Sequence, residues 1–328
     1  MSATQAYVLG VDVAKPWLDC AAPERKKTRR IANADREIAQ LVADLQARQA
    51  NGADVLVVME ASGGQERRLR EALHAAGVAV HVGNAKRIRD YARALGWMAK
   101  TDSIDATLLR RYGEKEQPRP TRPVEAARRD LAELIEYREQ LQSEIEARVQ
   151  QLKGYRHEPL RRRAQEALAA LEAERRALTE MIETTLRQEP FAEDHDLMAS
   201  CPGVGAMTSA ALLAYMPELG DLSDKQIASL AGLAPFPCDS GQMKGRRVVT
   251  GGRAKIRKTL YMAAGIAGRH NGPLKAMRAR LLAKGKPPKV VRVALMRKLL
   301  VILNALIRNQ TRWQDPGTRQ QTETARAA

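Results

Sequence analysis

Val55-Leu56-Val57-Val58-Met59-Glu60 is an unbroken apolar run closed by an acid. A strand with one wet face alternates apolar and polar residues, whereas a continuous run of this length marks a central strand covered on both faces. The fold therefore contains a sheet sandwiched between helices, with a carboxylate at the end of an inner strand. Upstream, Tyr7-Val8-Leu9-Gly10-Val11-Asp12 has the same form and also ends in an acid. Between the two runs, Val13-Ala14-Lys15 reads as a turn into a second strand over Leu18 to Ala21, and a third short strand is expected over Thr28 to Ile31. An amphipathic helix follows from about Asp35 to Gln49, with Asp35 suited to cap it. Downstream of Glu60, Ala61-Ser62-Gly63-Gly64 forms a turn and Gln65 to Ala76 a helix closed by Gly77. A strand over Val78 to Val82 and a helix over Asn84 to Leu95 complete an alternating β/α pattern, which predicts one open sheet covered by helices.

Lys100-Thr101-Asp102-Ser103-Ile104-Asp105-Ala106 places two acids three residues apart, on one face if the stretch is helical. Solvated helix acids would look the same. With Asp12 and Glu60, however, the order becomes an acid on the first strand, an acid on the fourth and a pair near a following helix. That is the arrangement of the ribonuclease H-like fold, whose nucleases and transposases use such carboxylates to hold two magnesium ions. The three cysteines, Cys20, Cys201 and Cys238, are scattered, and the five histidines show no paired ligand spacing. Neither a disulfide framework nor a zinc site is expected, so any metal is a hard one held by oxygen.

A chain of 328 residues and 36.3 kDa has room for two or three cores. It contains no apolar run of about 18 residues, and its start lacks a charged stretch leading into an apolar one. The expectation is a cytoplasmic protein, nucleoid-associated when bound to DNA. The net charge of +17 is concentrated: residues 240–314 hold 19 Lys/Arg and no Asp or Glu, while the rest of the chain has 36 basic and 38 acidic residues. Such a block predicts a polyanionic partner, nucleic acid first. An anionic membrane surface is the alternative, and Pro287-Pro288 interrupts the amphipathic face it would need.

Residues 116–123 contain three prolines and make a natural boundary. Beyond it, Leu131, Leu134, Arg138, Leu141, Ile145, Arg148 and Leu152 recur at alternating three and four spacing, and the rhythm returns from Ala164 to Ile182. A helical hairpin or paired coiled coil follows, serving either as an intramolecular arm or as a subunit contact. Cys201-Pro202-Gly203-Val204-Gly205, leading into Ala206 to Leu213, resembles a helix-hairpin-helix element. Gly203 and Gly205 would let backbone N–H groups approach a phosphate at a helix start, although a packing turn needs the same glycines. Ser240, in Asp239-Ser240-Gly241, reads from composition as a turn residue. It precedes basic residues suited to nucleic acid: Lys244, Arg246, Arg247, Arg253, Lys255, Arg257 and Lys258. Aromatic residues are only 4% of the chain, so backbone contacts should outweigh base stacking.

Together the GVDVAK start, Met59-Glu60-Ala61-Ser62-Gly63, KTDSIDA, CPGVG, AGLAP with the following DSG, and IRKTLY resemble the IS-110 (insertion sequence one-ten) family of transposases, which includes the Piv-like DNA invertases. The resemblance covers nearly the whole chain and departs at Gly64-Gln65, where an aromatic is expected. It implies a RuvC-like domain with a DEDD carboxylate site, matching Asp12, Glu60, Asp102 and Asp105. It also implies a C-terminal transposase domain whose catalytic serine falls on Ser240. Mg2+, or Mn2+ in its place, would be held by the acids while Ser240 forms a covalent phosphoserine with the DNA. The implied partners are donor and target DNA, a structured bridge RNA that guides target choice, and further copies of the chain, a dimer or a tetramer in the synaptic complex, with no membrane.

The expected organisation is an α/β RNase H-like (RuvC-like) domain over 1–115, a helical coiled-coil segment over 116–190, a mainly α transposase domain over 191–314 and a tail over 315–328. The expected activity is RNA-guided DNA recombination. Two rivals remain: a RuvC-like nuclease or Holliday-junction resolvase in which water attacks and Ser240 is structural, and a non-catalytic nucleic-acid-binding protein.

Overall fold

The computed structural model describes residues 7–97, 102–236 and 248–315, with the backbone alone at 102–104. The chain forms two units, Met1–Pro123 and Val124–Ala328. The first holds a five-stranded sheet of β1 (Tyr7–Val13), β2 (Trp17–Ala21), β3 (Arg29–Ala32), β4 (Val55–Glu60) and β5 (Ala79–Gly83) in the order β3-β2-β1-β4-β5. β1, β4 and β5 run parallel, and β2 and β3 are antiparallel to their neighbours. This mixed sheet agrees with the expected RNase H-like class.

Each face has its own apolar layer. On one, Leu9, Val11, Val57 and Met59 pack against Ile38, Val42 and Leu45 of α1 (Asp35–Ala50) and Leu69 and Leu73 of α2 (Arg67–Ala75). On the other, Val8 and Val58 pack against Ile88 and Ala92 of α3 (Ala85–Ala94) and Leu108, Leu109 and Tyr112 of α4 (Asp102–Glu116). Val57, Val58 and Met59 are fully buried, which explains the unbroken apolar run; each such side chain stabilises the fold by roughly 1.5–3 kcal/mol. The expected cap of α1 is corrected. Ala34 is the N-cap and makes no side-chain cap bond. Asp35 is the first helical residue and pairs with Arg68 at 3.5 Å, where its charge still suits the helix start. Gly77 follows α2 with φ +72°, as a helix-closing glycine should.

The proline-rich segment seals the sheet as well as ending the unit. Thr121 N donates to Val80 O at 2.6 Å and its hydroxyl accepts from Val82 N at 2.9 Å. His81 Nδ1 meets Arg119 O at 2.8 Å, and His74 Nε2 meets Thr121 O at 3.1 Å. The open side of β5 is thereby covered, with prolines at 118, 120 and 123 withholding donors from further pairing. The first unit consequently runs to Pro123.

The second unit is mainly helical. α5 (Ala126–Leu152) and α6 (Glu158–Leu186) pack together as a hairpin. Its inner half, through Leu131, Ile135, Ile182 and Leu186, enters one core with the helices that follow. Those are α7 (Ala192–Ala199), α8 (Ala206–Tyr215), α9 (Asp224–Leu230), α10 (Ala254–His270), α11 (Gly272–Ala283) and α12 (Pro288–Asn309). In the hairpin seam Arg138 Nε donates to Thr179 Oγ1 at 2.8 Å. Burial and the like charge of Arg175 lower the pKa of Arg138. A short antiparallel pair, β6 (Pro235–Phe236) and β7 (Val248–Val249), joins the two ends of segment 237–247. Among the described residues no helix is long and apolar enough to cross a membrane.

Candidate active site

β1 and β4 are in register from Tyr7↔Val55 to Val11↔Met59, so Asp12 and Glu60 stand next to each other one rung beyond the last pair. Alternation assigns their face. Val11 and Met59 belong to the α1/α2 layer and Val8 and Val58 to the α3/α4 layer; Asp12 and Glu60, at even spacing from Val8 and Val58, therefore face the α4 side. Adjacent strands lie about 5 Å apart, so both carboxylates occupy one small region at the C-terminal ends of the strands.

α4 comes to the same end because two glycines let it lie directly on the sheet. A Cβ on Gly10 would strike the Ala106 carbonyl and Arg110 backbone, and one on Gly113 would stand 2.6 Å from Val8 Cγ1 and 2.7 Å from Val58 Cγ2. Ala106 thus lies over residue 10 and Gly113 over residue 8, so α4 runs opposite to β1. Its first turn, with Asp102 and Asp105, is carried toward Asp12 and Glu60. The helix start is also the favourable end for acids. Asp105 is half-buried; the side chain of Asp102 lies outside the described part of the structure.

The loop after Glu60 is organised by a residue that sequence reasoning passed over. Glu66 is 8% exposed, and one of its oxygens accepts from Ser62 N at 3.0 Å, Ser62 Oγ at 2.9 Å and Gly64 N at 3.0 Å. Burial alone would raise its pKa, but these hydrogen bonds hold the carboxyl below its ordinary value. Glu66 is thus a charged staple for the turn, and Gly63 and Gly64, with φ of +73° and +103°, permit the loop to curl around it.

A second unforeseen feature lies beside Asp12. Asp19 of β2 is its antiparallel partner and is 5% exposed. Arg30 grips Asp19 through Nε at 3.0 Å and Nη2 at 2.8 Å. The alternation Trp17-Leu18-Asp19-Cys20 carries this signal in the sequence, but only once the hairpin register is known.

Carboxylates of this kind are hard donors that suit a divalent ion. Asp12, Glu60 and the first turn of α4 meet at one end of the sheet. Among the described residues, no three His, Cys, Asp or Glu side chains are close enough together to hold a metal by themselves. The carboxylate of Asp102 lies outside the described residues.

In the second unit, Ser240, Lys244, Arg246 and Arg247 lie outside the described residues. The other expected nucleic-acid contacts are placed. Arg253 forks onto Glu218 at 2.6 and 2.7 Å and donates to Tyr215 O at 2.9 Å. Lys255 meets Glu136 at 2.5 Å, Arg257 donates to the carbonyls of Gly251 and Ala231, and Lys258 meets Glu139 at 3.0 Å. Gly203, with φ +97°, sits in the turn between α7 and α8, and a Cβ there would be 2.5 Å from the Ala267 amide of α10. Its lack of a side chain is explained by packing. Gly205 caps α8 and has open space around it.

Residues 9–158 match a family model described as transposase, and residues 195–279 match one described as the transposase IS116/IS110/IS902 family. The chain is similar to the pilin gene-inverting proteins of Moraxella bovis and Moraxella lacunata. Each is 30% identical to it over 314 residues, which cover 92% of this chain and 95% of the relative.

Proposed function

Since the chain belongs to the IS116/IS110/IS902 family of transposases and is a DNA transposase or site-specific recombinase, we propose that Asp12, Glu60, Asp102 and Asp105 form its metal-binding cleavage site and Ser240 its nucleophile. The observation that carries the acid assignment is the meeting of two adjacent strand ends with the first turn of α4. Magnesium, or manganese in its place, would neutralise phosphate charge and polarise the scissile group when bound. Asp12 and Glu60 supply anchored oxygens on a rigid sheet, and Asp102 and Asp105 supply the opposing wall.

Ser240 Oγ then attacks phosphorus: a serine–phosphorus bond forms, a backbone phosphorus–oxygen bond breaks, and the departing oxygen leaves as a DNA hydroxyl. Reversal of that step on another strand rejoins the ends without hydrolysis. Exchange of four strands calls for several active sites, hence a dimer that pairs into a tetramer. The basic segment 240–314 would hold DNA backbones together with a structured bridge RNA whose pairing chooses the target, and the α7–α8 turn, through the open N-terminus at Gly205, would contact a phosphate.

The test is a strand-exchange assay with donor and target DNA, the RNA encoded beside the gene, and magnesium. Ser240→Ala should abolish both recombinant product and covalent protein–DNA adduct. Persistence of cleavage without adduct would instead establish water as the nucleophile.

A further inference from the structure

The face that carries Asp12 and Glu60 continues outward across β2 and β3. Asp12 pairs with Asp19 and Asp19 with Arg30, so the three form one cross-strand row on the α4 side. Trp17, two residues before Asp19, shares that face. Asp19 takes the Arg30 guanidinium in a fork, and its Cζ lies 4.9 Å from the Trp17 ring centre. Both groups nevertheless remain open, Trp17 at 41% and the Arg30 side chain at 48% exposure.

Burying a carboxylate to fix a surface arginine adds little net stability. The arrangement is better accounted for by where it places the guanidinium. The turns of the surrounding hairpin expose Lys15, Lys26 and Lys27, while its remaining acid, Glu24, is taken by Arg48 at 2.5 Å. An exposed indole with a flat cation against it, inside a basic rim and beside an acid pair, fits a nucleic-acid strand in charge and shape.

We propose that Trp17 and Arg30 form the contact for the DNA strand that leads into Asp12 and Glu60, an inference that rests on the cleavage-site reading of those acids. Arg30 meets a backbone phosphate, and the indole–guanidinium surface offers a base a stacking platform. The fixed cation offsets the repulsion that Asp12 and Glu60 exert on an approaching phosphate. Asp19 acts through Arg30, and all three are positioning residues.

The full-length Trp97→Phe/Trp313→Phe protein retains Trp17 as its only tryptophan. Titrated with a single-stranded DNA oligonucleotide without divalent metal, its fluorescence should be quenched over the same concentration range in which the anisotropy of labelled oligonucleotide rises. In the natural background, Trp17→Ala should weaken binding about tenfold, and Arg30→Lys, which keeps the charge but loses the fork, about threefold. Binding with Trp17 emission unchanged would overturn the proposal and leave the acid-site reading standing. Quenching by an RNA oligonucleotide alone would overturn the DNA assignment, and absence of binding to either would overturn the contact itself. Cleavage is not read in this assay, so failure of the acid-site reading shows separately as strand exchange that survives Asp12→Asn.

Discussion

Gly10 and Ala106 meet backbone to backbone: a Cβ on Gly10 would fall on the Ala106 carbonyl and stand 3.0 Å from Arg110 Cα. Neither partner is a side chain that can turn aside. Gly10→Ala should therefore lift α4 from the sheet, cost about 1–3 kcal/mol or more, and displace the first turn that carries Asp102 and Asp105. Gly113→Ala would press on methyl groups of Val8 and Val58, which can shift, so its cost should be smaller. Urea denaturation of both variants decides this, and a Gly10→Ala protein as stable as the parent would contradict the seating of α4 on β1.

Asp12→Asn and Glu60→Gln keep shape and remove charge. Each should lose the rise in melting temperature that magnesium or manganese gives the parent, and reduce strand cleavage by more than about a hundredfold, the upper loss typical for a metal site's outer shell. Thermal melts with and without metal read the first effect apart from activity. A variant whose metal-induced rise equals the parent's does not lack a metal ligand.

The central strands were legible because burial on both faces leaves an unbroken apolar run, and the places of Asp12 and Glu60 near adjacent strand ends were legible because they close such runs. The segments that fold back were not. Thr121 seals β5 from 39 residues beyond Val82, and a proline-rich stretch reads as a boundary whether or not it pairs with an edge. Asp19 looks like one more charged residue until the β1–β2 register sets it beside Asp12. Glu66 could be read as an ordinary helix-start acid, because nothing local shows that Ser62 and Gly64 turn their N–H groups toward it. Arg253 and Glu218 are 35 residues apart, so the basic segment shows its charge in sequence but not which cations are already committed to protein partners.

The seal on β5 should be sensitive to pH. Burial is the main cause that lowers the pKa of His81 and of His74, with Arg87 and Arg70 adding to it. A folded-state pKa below the unfolded value means that the unfolded chain takes up protons first. The contribution is complete above about 6.5, the ordinary histidine value, and is lost as pH falls below it. The His74→Asn/His81→Asn protein should show a flatter fall in melting temperature between pH 7 and pH 5. His195 in the second unit is also lowered by burial, so some slope remains. Loss of the Glu66 staple lies in a separate, more acidic window, since its pKa is held below the carboxyl value of 4.5. An unchanged slope in the double variant would remove the histidines from the account.

Arg253 and Lys258 are both basic residues of the segment expected to hold nucleic acid, yet they should fail differently. Arg253 is two-thirds buried, forks onto Glu218 and donates to the Tyr215 carbonyl. Arg253→Ala removes the fork from Glu218 and the donor from the Tyr215 carbonyl, so it should cost about 1–3 kcal/mol of stability and leave the salt dependence of DNA binding nearly unchanged. Lys258 is 74% exposed and its pair with Glu139 is a surface one, worth at most about 1 kcal/mol. Lys258→Ala should keep stability and lower the slope of log affinity against log salt by about one. Urea melts and binding isotherms at several salt concentrations separate the two. If Arg253→Ala proves stable and flattens the salt slope, Arg253 exchanges Glu218 for a phosphate on binding, and its fork is a resting state of the DNA-free protein.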